Sequence, residues 1–162
     1  MIQIYETAKV VTKDIKFGEN CVIGDFAFVA PRKLVMADGS QIAPHAILSG
    51  GGEIYLEENS VVGFGVKLIC ATDSTSAPYM CESAPPDKRD IVRGSITLGE
   101  RAYIGSGAVI CVSKEHPHIK IGDYSVVGAL TYLDRSLDPF KVIYPKKDYV
   151  EKKRVLDSRL NG

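Results

Sequence analysis

The stretch Leu98–Ile110, L-G-E-R-A-Y-I-G-S-G-A-V-I, decides how this chain is read. Leu98, Ile104 and Ile110 recur every six residues, Gly99 and Gly105 follow the aliphatic residue directly, and Ala102 and Ala108 come four after it. A six-residue period fits neither the helical nor the simple strand period.

Working outward, the same aliphatic slot is filled at Phe17, Ile23, Val29; Met36, Ile42, Leu48; Leu56, Val62, Leu68; Leu98, Ile104, Ile110; and Ile121, Val127, Leu133. The slot after it holds Gly, Ala, Asp or Glu in 12 of 15 hexads, where composition alone would supply on the order of four, so the repetition is internal and real. The slot four after the aliphatic is small or Val in 12 of 15, as at Cys21, Ala27, Ser40, Ala46, Ser60, Thr72, Ser125 and Thr131. One inward aliphatic, one inward small residue and a turn-compatible Gly suit a coil of three short strands joined by tight corners. Stacked coils share one core, each burying the face of the next. The expectation is an all-β chain, a parallel β-helix of about five triangular coils, roughly 24 Å tall at about 4.8 Å per coil.

Spacings between successive triads exceed eighteen residues by 1, 2, 24 and 5. The template misses (Lys33, Lys114 and Leu137 in the small slot, Ser49, Ile69 and Cys111 after the aliphatic) all fall on the third hexad, where the extra residues also leave. Function is expected on that irregular side, since binding and catalytic residues concentrate on loops held by a rigid scaffold.

The chain reads as one domain over residues 1–162: an N-terminal cap (1–16), the repeat body (17–140) with a long loop (72–95), and a C-terminal tail or short helix (141–162). I-Q-I-Y near the start is a plausible strand covering the open edge of the first coil. The Gly50–Gly52 run marks a tight bend or a close approach of two backbones. Pro78, Pro85 and Pro86, several Ser and Thr and no helical period make the excursion a loop, of a length that is usually functional inside a compact fold. K-E-H-P-H at Lys114–His118 is a second, shorter insert.

Twenty basic residues balance twenty acidic ones, so no global field recruits nucleic acid or an anionic membrane. The four Cys show no C-x-x-C spacing and are read as reduced thiols. Without a membrane-length apolar run or a signal-peptide pattern, a cytoplasmic protein without membrane insertion is expected.

With these features in place, the chain resembles the hexapeptide-repeat acyltransferases of the left-handed parallel β-helix fold, and among them the sugar and nucleotide-sugar acetyltransferases of surface-polysaccharide pathways. The resemblance covers about Phe17 to Arg154 and is carried by T-D-S-T-S-A-P-Y-M, I-G-S-G-A-V-I, I-G-D-Y-S-V-V-G-A-L and the P-K-K after the last coil. It implies a homotrimer using acetyl-CoA or another acyl-CoA as cosubstrate, with a sugar or nucleotide-sugar acceptor under the long loop. Backbone groups around Gly105, Ser106, Gly107, Gly128 and Ala129 would line the pantetheine channel, and Lys146 and Lys147 would lie near the nucleotide phosphates.

The long loop has no His, and its Asp73 falls where the related sugar-acyltransferase subgroup carries an Asp, while Pro78 stands at that subgroup's Glu. Acyl transfer needs a nucleophilic amine or hydroxyl, a proton acceptor and donors to the developing oxyanion. Asp73 is the first candidate for handling the proton, and it favours an amino-sugar acceptor whose ammonium it can orient. His45, placed to project outwards from its corner, and His116, with His118 in the same insert, are the other candidates. Two rival readings stand beside this one: a non-catalytic hexapeptide protein used for binding or assembly, and a metal-dependent hydratase resembling the gamma-type carbonic anhydrases, whose zinc would need three convergent His.

Overall fold

A computed structural model describes residues 1–146 of the chain. The first turn is made by β1 (Gln3–Ile4), β2 (Lys9–Val10) and β3 (Asp14–Phe17), the second by β4 (Val22–Ile23) and β5 (Phe28–Met36), and the third by β6 (Gln41–Ile42) and β7 (Ile47–Leu56). The fourth opens with β8 (Val61–Val62) and β9 (Lys67–Ile69), leaves through β10 (Ala71–Asp73), returns through β11 (Ile91–Arg93) and closes with β12 (Ser95–Leu98). Then come β13 (Tyr103–Ile104), β14 (Val109–Cys111) and β15 (His118–Ile121), followed by β16 (Val126–Val127) and β17 (Tyr132–Leu133), and last β18 (Val142–Ile143).

One face is a seven-stranded parallel sheet in the order β1-β4-β6-β8-β13-β16-β18. The other two faces merge into one bent nine-stranded sheet, because β5 and β7 run on through the corner between them. The solenoid therefore has about seven turns where the hexads predict five. The N-terminal cap is itself a full turn, with β1 and β2 pairing in parallel to β4 and β5. The expected tail begins with a strand that extends the seven-stranded sheet beyond β16. Residues 147–162, with Lys147 and the predicted short helix, lie outside the described residues.

All fifteen hexad positions stack in three rows. Phe17, Met36, Leu56, Leu98 and Ile121 are register partners. Ile23, Ile42, Val62, Ile104 and Val127 form the second row, and Val29, Leu48, Leu68, Ile110 and Leu133 the third. Every one except Phe17 is buried, so the aliphatic slot is the core, as in other solenoids whose repeats bury one another's faces.

A fourth inward row escaped the template: Ile15, Leu34, Ile54, Ile96 and Ile119 stack two residues before the first row. On this face the strand is continuous and alternates in and out with the simple strand period. The third hexad's small slot falls at the approach to this face, at Lys33 within the continuous strand β5 and at Lys114 in the insert between β14 and β15, which explains the two misses. The glycine after the aliphatic also serves a different purpose from the one read in the sequence. At Gly105 a Cβ would come within 2.5 Å of the Ala129 nitrogen on the next turn, so the requirement is closeness of stacked backbones. Left-handed conformations sit two residues later, at side-chain-bearing positions such as Asn20, His45, Arg101 and Leu130.

Candidate functional site

The excursion between β9 and β12 is better ordered than its composition suggests. Its two ends pair as an antiparallel hairpin, Ala71 opposite Arg93, Thr72 opposite Val92 and Asp73 opposite Ile91. Ser74 then donates its N–H to the Asp90 carbonyl at 2.7 Å. The hairpin is clamped by one ion pair: Arg89 donates from Nε to Asp73 Oδ1 at 2.9 Å and from Nη2 to Oδ2 at 2.8 Å. Both side chains are mostly covered, at 14% and 13% exposure, a setting in which a two-pronged guanidinium–carboxylate contact fixes geometry as well as charge. The Arg89 hydrogen bonds hold the Asp73 carboxyl below its ordinary range, and the partnership raises Arg89 in turn.

The room for this hairpin comes from Gly50–Gly52. Gly50 has φ of 117°, and a Cβ on Gly52 would lie 2.2 Å from the carbonyl oxygens of both Cys70 and Gly94. Of the two readings open in the sequence, the run therefore realises both: a bend at Gly50 and a close backbone approach at Gly52. The second insert docks against the excursion from the neighbouring turn, with Lys114 Nζ donating to Asp90 Oδ2 at 3.0 Å.

Three pockets surround the hairpin. The first, about 420 Å³, lies between the glycine run and the excursion and is lined by Asp73, Met80, Glu82, Arg89, Ile91 and Arg93 among others. The second, about 380 Å³, lies on the other side of the hairpin against Cys111, Lys114, Glu115 and Tyr132. Asp73 and Thr72 line both. The third, about 290 Å³, sits beneath Arg93 and contains His118. The irregular side of the prism thus carries the pockets, on the face where the extra residues leave.

The sequence-predicted residues divide into two groups. Asp73 stands at the centre of the pockets. His45 is elsewhere, on an exposed corner with positive φ, its ring stacked on Phe26 at 5.1 Å. It projects outwards as expected. Gly105, Ser106, Gly107, Gly128 and Ala129 share that corner through stacked turns: Gly107 donates its N–H to Phe64, and Leu130 donates to Ser106. None of these five residues lines the three pockets. His116 is exposed in a tight turn, its N–H bonded to Ser113 Oγ at 3.1 Å, and it does not line the pockets either. Lys146 is exposed beyond β18.

Sequence reasoning missed Arg89 and Arg93. The signal available was a pair of arginines closing a loop that an aspartate opens. Among the described residues no group of three or more His, Cys, Asp and Glu side chains is placed to hold a metal ion, and no helix is long and apolar enough to cross a membrane.

No protein-family model and no curated protein matches the chain. Solved structures do. A mutant of AntD, an N-acyltransferase from Bacillus cereus in complex with dTDP and coenzyme A, superposes with a TM-score of 0.79 at 23% identity, covering 87% of this chain and 77% of that one. The fold is that of AntD. Another AntD mutant, in complex with dTDP-4-amino-4,6-dideoxyglucose and coenzyme A, has a TM-score of 0.78 at 24% identity and covers 94% of this chain and 83% of its own. A hexapeptide-repeat-containing acetyltransferase from Vibrio cholerae has a TM-score of 0.52 at 17% identity, covering 87% of this chain and 64% of its own.

Proposed function

We propose that the protein is an acyl-CoA-dependent acyltransferase that moves an acetyl or similar acyl group onto the amino group of a nucleotide-linked sugar. The observation that carries this reading is the hairpin-flanked pair of pockets centred on Asp73, built on a solenoid with the fold of an N-acyltransferase of amino sugars.

In this reading the acceptor amine lies beside Asp73, attacks the thioester carbonyl and expels the coenzyme A thiolate, with the amine proton lost as the C–N bond forms. Ser106 and Ala129 are exposed residues at that corner and suit an extended pantetheine arm, with a corner N–H there supplying an oxyanion donor without any side-chain acid. Asp73 is a weak base because Arg89 occupies both its oxygens and stabilises its charge. Its negative charge is nevertheless suited to orienting the amine and receiving the proton of the N–H⁺ that forms as the amine adds to the thioester carbonyl. Adding acetyl-CoA is expected to raise the unfolding temperature, because a ligand that binds only the folded state stabilises it by mass action. Absence of any shift at millimolar acetyl-CoA would overturn the acyltransferase reading in favour of an assembly protein.

We further propose that the working unit is a homotrimer in the cytoplasm. Along the corner that carries His45, the exposed large apolar side chains are Phe26, Phe64 and Leu130, at 58%, 60% and 76% exposure. Their turns stack one above another through the corner hydrogen bonds. An apolar column of this kind marks an interaction surface, and a neighbouring copy would bring its own wall to the Ser106 and Ala129 backbone. Light scattering at micromolar concentration should return three times the 17.6 kDa chain mass; a monomer would sink both the trimer and a cofactor groove between subunits.

A further inference from the structure

The three pockets differ in charge. In the first, Asp73 and Glu82 balance Arg89 and Arg93. In the second, Asp73 and Glu115 outweigh Lys114, which is already bonded to Asp90. In the third, two guanidiniums, Arg32 and Arg93, face a single carboxylate, Glu53. That carboxylate is already answered on both oxygens: Arg32 and the Tyr55 hydroxyl both donate to it, and the Tyr55 hydrogen bond, with Arg32 behind it, holds it ionised below its usual range.

What remains in the third pocket is a set of donors. Arg93 is exposed and makes no ion pair or side-chain hydrogen bond among the described residues. Its side chain runs over Gly51, where a Cβ would come within 3.1 Å of its Nε and 3.5 Å of its Cδ, so the glycine leaves room for the arginine at the floor. Ser95 Oγ and His118 Nδ1 are 2.9 Å apart on adjoining turns, where Ser95 and His118 are register partners. Gly51, Gly52 and Gly94 leave the floor without side chains. The Arg93 guanidinium, a second guanidinium at Arg32 shared with Glu53, a hydroxyl and an imidazole over bare backbone offer donors to the acceptor oxygens of a phosphate.

We propose that this third pocket is a diphosphate subsite, with Arg93 as its anchor, and that it holds the diphosphate of the nucleotide-linked acceptor. Its source rests on the acyltransferase reading: the pocket shares Arg93 and Gly51 with the first pocket, so a diphosphate on Arg93 delivers the attached sugar toward Asp73. Coenzyme A carries the same group, and its proposed groove is at the His45 corner.

The test is calorimetric titration of the full chain with inorganic pyrophosphate, uridine diphosphate and coenzyme A. Arg93→Gln should weaken pyrophosphate and uridine diphosphate about tenfold, the order lost with one charge-assisted contact, and leave coenzyme A unchanged. Glu53→Gln should tighten the same two ligands, because it removes the one carboxylate facing them; a merely structural effect would not give opposite signs. Loss of coenzyme A binding in Arg93→Gln, with uridine diphosphate unaffected, overturns the assignment to the acceptor. Unchanged binding of all three overturns the subsite itself. The two readings fail separately: pyrophosphate binding that depends on Arg93 in a protein that transfers no acyl group retains the subsite and removes the enzyme. Acyl transfer to a free amino sugar, insensitive to pyrophosphate and to Arg93→Gln, does the reverse.

Discussion

Acyl transfer to an amino-sugar acceptor by Asp73→Asn is expected to fall by about 100-fold to 10,000-fold, the range over which a positioned proton-handling group contributes, while coenzyme A binding stays close to that of the wild type. Asn keeps the shape and one acceptor oxygen but removes the charge that both orients an ammonium and holds Arg89. The companion change separates two roles for the carboxylate. In Arg89→Gln the carboxylate loses the partner that depresses its pKa, so a true base would become stronger and activity would persist. A positioning carboxylate would lose its place at the foot of the hairpin, and activity would fall to within a few fold of Asp73→Asn. The structure favours the second outcome, because both oxygens are committed to Arg89. His45→Asn and His116→Asn should each cost about tenfold or less on the same scale, since neither lines the pockets. A dead His variant beside a normal Asp73→Asn would move proton transfer to imidazole.

The same pair has a pH signature. The folded-state pKa of Asp73 is depressed, so its contribution to holding the hairpin is fully present above the unfolded value of about 4 and is lost as pH falls through the lower folded value. Activity lost on the acid side through Asp73 alone should therefore appear only well below neutrality, and a loss between about pH 6 and 7 beyond that set by protonation of the acceptor amine itself would point to a histidine instead.

The rows of the core were legible because a buried slot that repeats every six residues leaves a trace at every turn, from Ile23 to Val127. The first turn was not, because Ile4 and Val10, although six residues apart, lie at the open end, half covered or exposed, and are followed by Tyr5 and Val11 where the template has a small or acidic residue. The fourth row was hidden by the inserts. Counting forward from Val29 or Ile110 crosses extra residues and lands on Lys33 or Lys114, whereas counting back two from Met36 or Ile121 lands on Leu34 and Ile119. The site was half legible: the loop and Asp73 could be found from composition and position. Arg89 was only hinted at by the arginines that close the loop, because it lies sixteen residues further along the chain and the antiparallel pairing that brings it back to Asp73 is set by the hairpin. The grouping of Arg32, Arg93 and His118 in one pocket depends on the stacking of four successive turns, from the second to the fifth, which a single period does not specify.

Ile104→Ala is expected to destabilise the fold by about 2–5 kcal/mol, the cost of emptying a well-packed aliphatic site. Ile104 is fully buried and sits in an interior turn, the fifth of about seven, with Val62 as register partner on one side and Val127 on the other. Its strand is only two residues long and runs into tight turns at both ends: Ala102 donates to the Gly99 carbonyl before it and Ala108 donates to Gly105 after it. With both ends fixed and a Val above and below, the walls have little freedom to close over the missing atoms, which places the cost in the upper part of that range. Position matters as well as size. In a solenoid each turn contacts only its neighbours, so a cavity in the middle weakens two interfaces at once. Ile4→Ala, at 45% exposure on the terminal turn, should by the same reasoning cost under about 1 kcal/mol. Denaturant unfolding of the two variants side by side checks this: equal midpoints would mean that the stacked rows do not carry the stability of the prism.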